Sequence, residues 1–549
     1  MLGRRDPQRS LFGTQHLPHP VPADSFYARM GALSDVLFPD DDLADMYCLD
    51  NGRPSLPPSL MNGVLLLQFY DDVSDEEAVE RLKYDLRWKV ALDLALDYSG
   101  FHPTSLTKYR NRLVENKQER YAFDRFIAVA REAGFIPDRV TLLTDTTNVR
   151  GAGAVQDTYT LLRKGIRKVL KAAGFHLPHK RQGLAPEARA LLERYVDQDR
   201  KADIDWSDPQ QRLAQLQVLF QDAEAALDLA AEQTPALRAG ASVDEDEVRA
   251  WGWLLVKILG DDLVVDDQGQ AQIGQGTATD RIISLTDPQM RHGRKSKAHL
   301  FNGFKAVVST EQSSELILDI ADVTASGSDG EHLMTTIERV EANAGVTVER
   351  VLGDGAFGSG ENRAACARDP EHLIDLVAPL ARPANPEVDK SAFQIDLAAQ
   401  TATCPKGHTV AGRSGTKGGQ PMTKFTFARA DCEACSLFAA CVHSKETGRT
   451  VQAGPYEAYL QAARLRQETG DFALLYRLRA AIERKIAELV ELGMRGTRYV
   501  GEAKRQLQRL WTGAVVNLRR LFSLAEAKGV DLHAFLVSSE PRPVGQATG

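Results

Sequence analysis

Apolar and polar positions follow two different periods along this chain, a helical one near its start and a strand-like one further on. Over residues 41–113 apolar side chains recur at a spacing of about 3.6 residues, and Asn-Gly and Pro-Pro pairs separate the runs. Residues 41–130 are therefore expected to form an all-helical N-terminal domain, which would bind DNA or pack against another protein chain. Residues 1–40 are rich in Pro, Gly and His and predict an extended arm.

Strand character begins at Arg139–Asp145, an apolar and β-branched run that predicts a buried strand ending in an acid. A helix-rich insertion follows at about 158–262. Further strands are predicted in five apolar runs, namely Arg281–Leu285, Gly303–Ser309, Leu316–Val323, Val346–Leu352 and Leu373–Val377. Helices are predicted at Glu331–Ala342 and Asn362–Ala367. This alternation of strands and helices favours an α/β core over residues 131–383.

The C-terminal part of the chain contains a second interruption and a return to helical periodicity. Residues 384–447 are rich in Gly, Thr and Cys and read as a small separate insertion. Residues 448–530 are periodic again and predict the closing helices of the core, including one helix over Phe472–Leu492. Residues 531–549 are expected to form a flexible tail.

The charge of the chain is unevenly distributed. The 549 residues carry a formal net charge of −8, and their number corresponds to roughly two to four domains. Residues 158–186 contain seven basic residues and no acid, 195–248 contain four basic and thirteen acidic residues, and 461–528 contain fourteen basic and seven acidic residues. Two basic blocks separated by an acidic one favour local phosphate contacts, with solvated helix faces as the alternative.

Two compartments are disfavoured by the sequence. No apolar run approaches the roughly 18 residues of a membrane helix, and no apolar stretch follows the N-terminal arginines as a secretory signal requires. We therefore expect a cytoplasmic protein with no membrane partner.

Three acids are candidates for one site. Asp145 closes a predicted strand, and Asp354 follows another between two glycines that allow close approach of a backbone or nucleic acid. Glu483 shares a predicted helix face with Tyr476 and Arg479, at steps of three and four residues. Each acid also has an ordinary structural alternative, which is a turn or helix cap for the aspartates and a solvated i,i+4 ion pair for Glu483.

Three carboxylates in one site would repel one another unless cations neutralise them. Mg²⁺ and Mn²⁺ prefer oxygen ligands, and two such ions about 3.5–4 Å apart can bind both the attacking and the leaving oxygen of a phosphodiester. The acids therefore predict a site for two Mg²⁺ or Mn²⁺ ions.

These residues resemble the DDE transposases of bacterial insertion sequences, and insertion-sequence group eleven-eighty-two is the nearest subgroup. The resemblance rests on motifs in a fixed order, namely Thr144-Asp145-Thr146-Thr147, Gly353-Asp354-Gly355-Ala356-Phe357, Tyr476-x2-Arg479-x3-Glu483, Gly493–Gly501 and Asn517-Leu518. It implies an RNase H-like catalytic core with insertions, in which Asp145 and Asp354 are metal ligands on adjacent strands. Glu483 would complete the set from a helix.

The resemblance also implies contacts with phosphates of the transposon end, through Tyr476 and Arg479. Many relatives carry Lys seven residues after the glutamate, where this chain has Val490. Arg495 is the first candidate to replace that contact, and Arg498 lies in the same motif.

The activity implied is metal-dependent cleavage at insertion-sequence ends, followed by strand transfer into target DNA. The partner would be double-stranded DNA, and the joining of two ends implies a dimer or larger assembly. Two alternatives remain at this stage. One is an RNase H-like nuclease that cuts without joining, and the other is a retired transposase kept as a DNA-binding regulator.

Four cysteines in the second insertion have the spacing of a zinc ribbon. Cys432 and Cys435 form one metal knuckle, and Cys404 and Cys441 would complete a tetrahedral site for structural Zn²⁺. His408 or His443 could replace one ligand. Free reduced thiols are the alternative, because disulfides are rare in the cytosol.

Two basic patches are candidates for contact with the DNA backbone, which positions DNA without reading its sequence. Arg163, Arg167 and Lys168 share one face of a predicted helix in the first basic block. The second patch lies between predicted strands and contains Arg294, Lys295 and Lys297.

Overall fold

The structure is a computed structural model that describes residues 1–5, 19–48, 52–237, 244–295 and 298–538. Lys297 lies outside the described residues, as do residues 6–18 of the expected arm and 539–549 of the expected tail.

The described residues form a mixed α/β protein. Its strands are β1 (Arg139–Arg150), β2 (Leu263–Val265), β3 (Ala271–Ile273), β4 (Arg291–Arg294), β5 (Leu300–Glu311), β6 (Ile317–Thr324), β7 (Thr347–Leu352), β8 (Asp375–Val377), β9 (Gln394–Asp396), β10 (Thr401–Thr403), β11 (Thr409–Ala411), β12 (Arg413–Lys417), β13 (Gln420–Thr426) and β14 (Thr450–Ala453).

The helices fall into an N-terminal group, an insertion, the crossovers of the sheet and a closing group. They are α1 (Phe26–Ala32), α2 (Pro58–Tyr70), α3 (Asp75–Tyr84), α4 (Leu86–Leu92), α5 (Thr104–Glu115), α6 (Tyr121–Glu132), α7 (Thr158–Ala172), α8 (Pro186–Leu192), α9 (Pro209–Leu237), α10 (Glu245–Asp262), α11 (Leu333–Ala344), α12 (Gly360–Cys366), α13 (Arg429–Glu433), α14 (Phe438–Cys441), α15 (Glu457–Gln467), α16 (Gly470–Arg477), α17 (Ala480–Glu491), α18 (Glu502–Lys528) and α19 (Leu532–Ser538).

The central sheet has the strand order β4-β5-β1-β7-β8, with β6 also pairing with β5. Strand β5 pairs antiparallel with both β1 and β6, whereas β7 pairs parallel with β1 and β8 pairs parallel with β7. The parallel connection from β6 to β7 passes through α11, which packs on both strands. The helical insertion separates β1 from β4, so the sheet is completed by segments that are far apart in the sequence.

Strand β1 is longer than the sequence predicts. The apolar run was expected to end at Asp145, but pairing with antiparallel β5 continues to Arg150, which lies opposite Gly303. Parallel β7 pairs with β1 only as far as Leu143, opposite Leu352. Asp145 therefore lies inside a strand, at the point where one of its two neighbours stops.

The N-terminal helices share one apolar core with the sheet and the closing helices. Helix α18 packs against α2, α6 and β6, and its Trp511 is fully buried. The expected arm is wrong for residues 19–40, because α1 lies there and its Phe26 stacks on Tyr70 with ring centroids 4.0 Å apart. The expected tail begins with helix α19, whose Leu532 is buried in the same core.

The helical insertion has a second core of its own, formed mainly by α7, α9 and α10. Asp157 caps α7 by accepting a hydrogen bond from the Thr160 amide at 3.0 Å. The strand predicted at Arg281–Leu285 is wrong. Residues 282–285 are buried, but this part of the backbone bonds to Gln156, through the Ile283 carbonyl and the Leu285 amide, and forms no ladder.

The Cys-rich region has a third, small core. Strands β9, β10 and β11 form one antiparallel sheet and β12, β13 and β14 another, and Phe425 is fully buried between them. Among the described residues, no helix combines the length and apolar character needed to cross a bilayer.

Candidate active site

The register of two parallel strands brings Asp145 and Asp354 to the same end of the sheet, where the charge of Asp354 acts on Asp145. The last paired residues of β1 and β7 are Leu143 and Leu352. Asp145 lies two residues after Leu143, and Asp354 lies two residues after Leu352. Residues at equivalent positions of adjacent parallel strands lie about 4.8 Å apart in the hydrogen-bonding direction. Both aspartates therefore lie at the end of the sheet where β7 stops.

Arg479 connects the third acid to the first. Its Nη2 donates to Asp145 Oδ2 at 2.5 Å, and its Nη1 donates to Glu483 Oε1 at 2.8 Å. The Asp145 and Arg479 side chains are 15% and 14% exposed, whereas Glu483 is 62% exposed. The guanidinium thus lies below the surface, with the glutamate above it in solvent.

A break in the helical segment sets the position of Arg479. One helix was predicted over Phe472–Leu492, but α16 ends at Arg477 and α17 begins at Ala480. Between them the Arg479 amide bonds to the Tyr476 carbonyl, three residues back, which is the tighter 3₁₀ pattern. Helix α17 packs on β1 and β5, so this junction lies over the strand that carries Asp145.

Burial raises the pKa of Asp145, because a charged carboxylate is disfavoured away from water. The charges of Asp354 and Glu483 raise it further, and the Arg479 cation opposes the shift. Burial also disfavours the Arg479 cation, but the surrounding acids outweigh it and raise the pKa of the guanidinium. The three acids therefore interact electrostatically through one cation.

The Asp354 loop is tightly packed on its inner side. Asp354 Oδ1 accepts a hydrogen bond from the Ala356 amide at 2.9 Å. A Cβ atom at Gly330 would lie 2.3 Å from the Ala356 carbonyl oxygen, so only glycine allows this approach. The Asn362 amide donates to the carbonyls of Gly330 and Phe357, which joins the two loops.

A fourth acid near the site was missed by sequence reasoning. Asp329 accepts hydrogen bonds from Thr146 Oγ1 at 2.7 Å and from Lys305 Nζ at 2.7 Å. Thr146 follows Asp145 and points to the other face of β1. Asp329 therefore bonds to β1 on the face opposite Asp145. Asp-Gly pairs are typical of turns, but the partners of Asp329 on β1 and β5 become visible only in the fold.

The predicted phosphate contacts occupy different settings. Tyr476 stacks on Phe472 with ring centroids 5.8 Å apart, next to Arg479. Arg495 is exposed. Arg498 instead bonds to the carboxylate of Asp72 and, at 2.7 Å, to a backbone carbonyl of the N-terminal region. Arg498 thus joins two parts of the main core, which weighs against a contact with DNA.

The first basic patch has partners inside the protein. Arg163 and Arg167 both form ion pairs with Asp199, and the Lys168 ammonium lies 4.6 Å from the centroid of the Trp251 ring. These contacts hold α7 within the helical insertion. They offer a structural reason for the cations and weigh against a role in DNA binding.

The second basic patch is open to solvent. Arg294 and Lys295 are exposed at the end of strand β4. Arg294 pairs with Leu300, which is eight residues along β5 from Val308, the partner of Asp145. At about 3.3 Å per residue this separation is roughly 26 Å, or about eight base pairs of duplex DNA.

The four predicted zinc ligands face one apolar cavity of about 30 Å³. Burial raises the pKa of the Cys441 thiol, and the charges of Cys404, Cys432 and Cys435 add to this. All four cysteines are free of disulfides. Within the ranges that the structure describes, however, no group of three or more His, Cys, Asp or Glu residues is placed to hold a metal ion. The prediction of structural Zn²⁺ is therefore not supported.

The same finding applies to the three acids. Their carboxylate oxygens are ligands that Mg²⁺ and Mn²⁺ prefer. Two of the three acids, Asp145 and Asp354, interact electrostatically. In the described arrangement, however, the Arg479 cation stands between Asp145 and Glu483, and the three do not form a metal-binding group.

Comparison with known families gives two matches. Residues 15–112 match the family described as Transposase domain (DUF772), and residues 403–522 match the family described as Transposase DDE domain. The second match contains Glu483, whereas Asp145 and Asp354 lie outside both. No curated protein and no solved structure gives a significant match to this sequence. The two family matches, at opposite ends of the chain, support a transposase with a DDE transposase domain in its C-terminal part.

Proposed function

We propose that this chain is a DDE insertion-sequence transposase with an RNase H-like core, close to group eleven-eighty-two, and that Asp145, Asp354 and Glu483 are its catalytic acids. The observation that supports the proposal is that Asp145 and Asp354 each stand two residues beyond the last paired position of β1 and β7, and that the charge of Asp354 acts on Asp145. The resemblance implies two such acids on adjacent strands and a third on a helix. Arg479 links that helix to the first strand.

DDE transposases generally use divalent metal ions, and Asp145, Asp354 and Glu483 would hold them through carboxylate oxygens. A bound metal supplies charge stabilisation at the phosphodiester. Tyr476 and Arg479 orient the phosphates of the transposon end beside the acids, because an arginine fork matches the geometry of a phosphate.

The reaction consists of two phosphodiester exchanges. In the first, a water oxygen bonds to phosphorus at the transposon end, and the 3′-oxygen leaves with a proton. In the second, this 3′-hydroxyl attacks a phosphodiester of target DNA, and a 3′-oxygen of the target leaves. The joining of two ends calls for a dimer or a larger assembly on double-stranded DNA. Arg294 and Lys295 would contact the backbone about eight base pairs from the acids.

Asp354→Asn tests the catalytic assignment with a nearly isosteric change. On a DNA fragment that carries the flanking ends of the element, we expect cleavage to fall at least about a hundredfold, because even outer-shell changes at metal sites cost about 10–100-fold. Gel-shift affinity for the same fragment, measured without divalent metal, should be unchanged. Glu361→Gln is the matched control, since this acid is exposed at the start of α12 and lies outside the site.

Full cleavage by the Asp354→Asn variant would remove this residue from the catalytic set. A joining assay with pre-cut ends tests the second exchange. A chain that cuts but leaves pre-cut ends unjoined would be a nuclease and not a transposase.

A further inference from the structure

The Arg479 guanidinium occupies the place where a neutralising cation is needed. It donates to Asp145 at 2.5 Å and to Glu483 at 2.8 Å. One side chain therefore compensates two of the three proposed catalytic acids. Among the described residues, no group of acids is arranged to hold a metal ion while this bridge is present.

We infer that Arg479 is an internal counter-ion that closes the acidic site in the DNA-free protein and moves to a DNA phosphate when the transposon end binds. Divalent metal then binds the three acids only once DNA has displaced the arginine. This inference rests on the proposed function, and it adds an order of events to it.

The geometry makes Arg479 and a metal ion mutually exclusive partners of the same oxygens. Asp145 Oδ2 and Glu483 Oε1 are engaged by the guanidinium. A divalent cation at these oxygens would meet a positive charge at hydrogen-bonding distance, in a region where the Asp145 side chain is only 15% exposed. Like charges repel more strongly when water is largely excluded. The bridge must therefore open before metal is bound.

Two features allow the bridge to open. The glutamate end of the bridge is 62% exposed, and ion pairs with such solvent access are weak. In addition, the Arg479 Nε is buried and has no hydrogen-bond partner in the described structure. The closed arrangement thus leaves one donor of the guanidinium unsatisfied, which is unfavourable for a buried group.

A phosphate satisfies the donors that the bridge leaves unused. The guanidinium is planar, always charged and able to donate two parallel hydrogen bonds to phosphate oxygens. Arg479 lies at the α16–α17 junction, where the backbone follows the tighter 3₁₀ pattern. Its contacts with the acids are made by the guanidinium and not by the backbone, so a change of rotamer opens the bridge without unwinding either helix.

The inference predicts that DNA and metal bind cooperatively, since each favours the open arrangement. Coupling of this kind is reciprocal, so DNA strengthens metal binding by the same factor as metal strengthens DNA binding. The typical range of such couplings is about 5–150-fold. A site preassembled for metal would show no such coupling through Arg479.

The test is Mn²⁺ binding to the full-length protein, measured by titration calorimetry with and without a short duplex DNA that carries one end of the element. Without DNA, Arg479→Gln should bind Mn²⁺ about tenfold more tightly than the wild type, because the competing cation is gone. Arg477→Gln is the matched control, since Arg477 is exposed at the end of α16 and should leave Mn²⁺ affinity unchanged. Asp354→Asn reports whether the measured binding belongs to the acidic site.

A second measurement uses only the wild type, so it does not depend on the folding of a variant. Adding duplex DNA should raise Mn²⁺ affinity about tenfold, after subtraction of Mn²⁺ binding to DNA alone. Equal affinities of the wild type with and without DNA would overturn the inference, and if Asp354→Asn abolishes that binding the proposed site still stands. Absence of Mn²⁺ binding sensitive to Asp354 under every condition would overturn the proposed function as well.

Discussion

Asn517 lies in the closing helix, in a motif that supports the family resemblance, and the structure gives it a structural role. Its Oδ1 accepts a hydrogen bond from the Ile317 amide at 2.8 Å, and its Nδ2 donates to the Ile317 carbonyl at 2.8 Å. Strand β6 pairs only with β5, so its outer edge needs another partner. The Asn517 amide replaces one residue of a neighbouring strand.

The cost of removing this side chain can be worked from these two bonds. Asn517 and Ile317 are fully buried, so water cannot replace the lost partner. Each unsatisfied buried backbone group costs about 1–3 kcal/mol. Asn517→Ala should therefore cost about 2–6 kcal/mol of local stability, because two groups lose their partner.

Amide hydrogen exchange at Ile317 measures this effect directly. A loss of 2 kcal/mol corresponds to an increase of about 30-fold in the exchange rate, at 1.4 kcal/mol per tenfold. Gln506→Ala is the matched control on the same helix, since half-buried Gln506 gives a single bond to the Ile320 carbonyl and should cost only about 1 kcal/mol. Unchanged protection of Ile317 in Asn517→Ala would refute the edge-partner role.

Two further predictions concern charge. The pKa of Asp375 is lowered, because hydrogen bonds from Arg466 and a second arginine outweigh the opposing effect of burial. Asp375→Asn should lose about 1–2 kcal/mol of stability at neutral pH. The difference in the free energy of unfolding between variant and wild type should shrink as pH falls below 3.8, the usual pKa of the group. A difference that persists in acid would contradict this. For DNA binding, combined replacement of Arg294 and Lys295 by Gln should reduce the slope of log affinity against log salt by about 2, at about one unit per phosphate contact. Arg163→Gln, whose cation is paired within the insertion, should leave the slope unchanged.

Much of the secondary structure follows from local pattern, because the period of apolar positions reports which face of an element is buried. The mixed α/β class and the helical N-terminal region are confirmed. The secondary-structure predictions failed where a segment is apolar and buried but its backbone is not paired as the pattern predicts. Arg281–Leu285 is apolar and buried, yet its backbone bonds to Gln156 and not to a strand. Helical periodicity continues through Arg477, although α16 ends there and a separate helix, α17, begins at Ala480 and packs on the sheet.

The sequence by itself determined that Asp145 and Asp354 end apolar runs and that Tyr476, Arg479 and Glu483 are separated by steps of three and four residues. These are local facts, since they depend on residues a few positions apart. It could not determine that Arg163 and Arg167 would find a partner in Asp199, because charge blocks carry no information about neighbours in space.

Only the tertiary structure decided how the acids meet. Asp145 and Asp354 are separated by more than 200 residues of sequence, and the pairing of β1 with β7 brings them to the same end of the sheet. The fold also placed Arg479 between Asp145 and Glu483, a contact that helical spacing explains for the glutamate but not for the aspartate. The physical reason is that strand register and helix docking depend on the whole core, whereas residue pattern reports only the immediate neighbourhood.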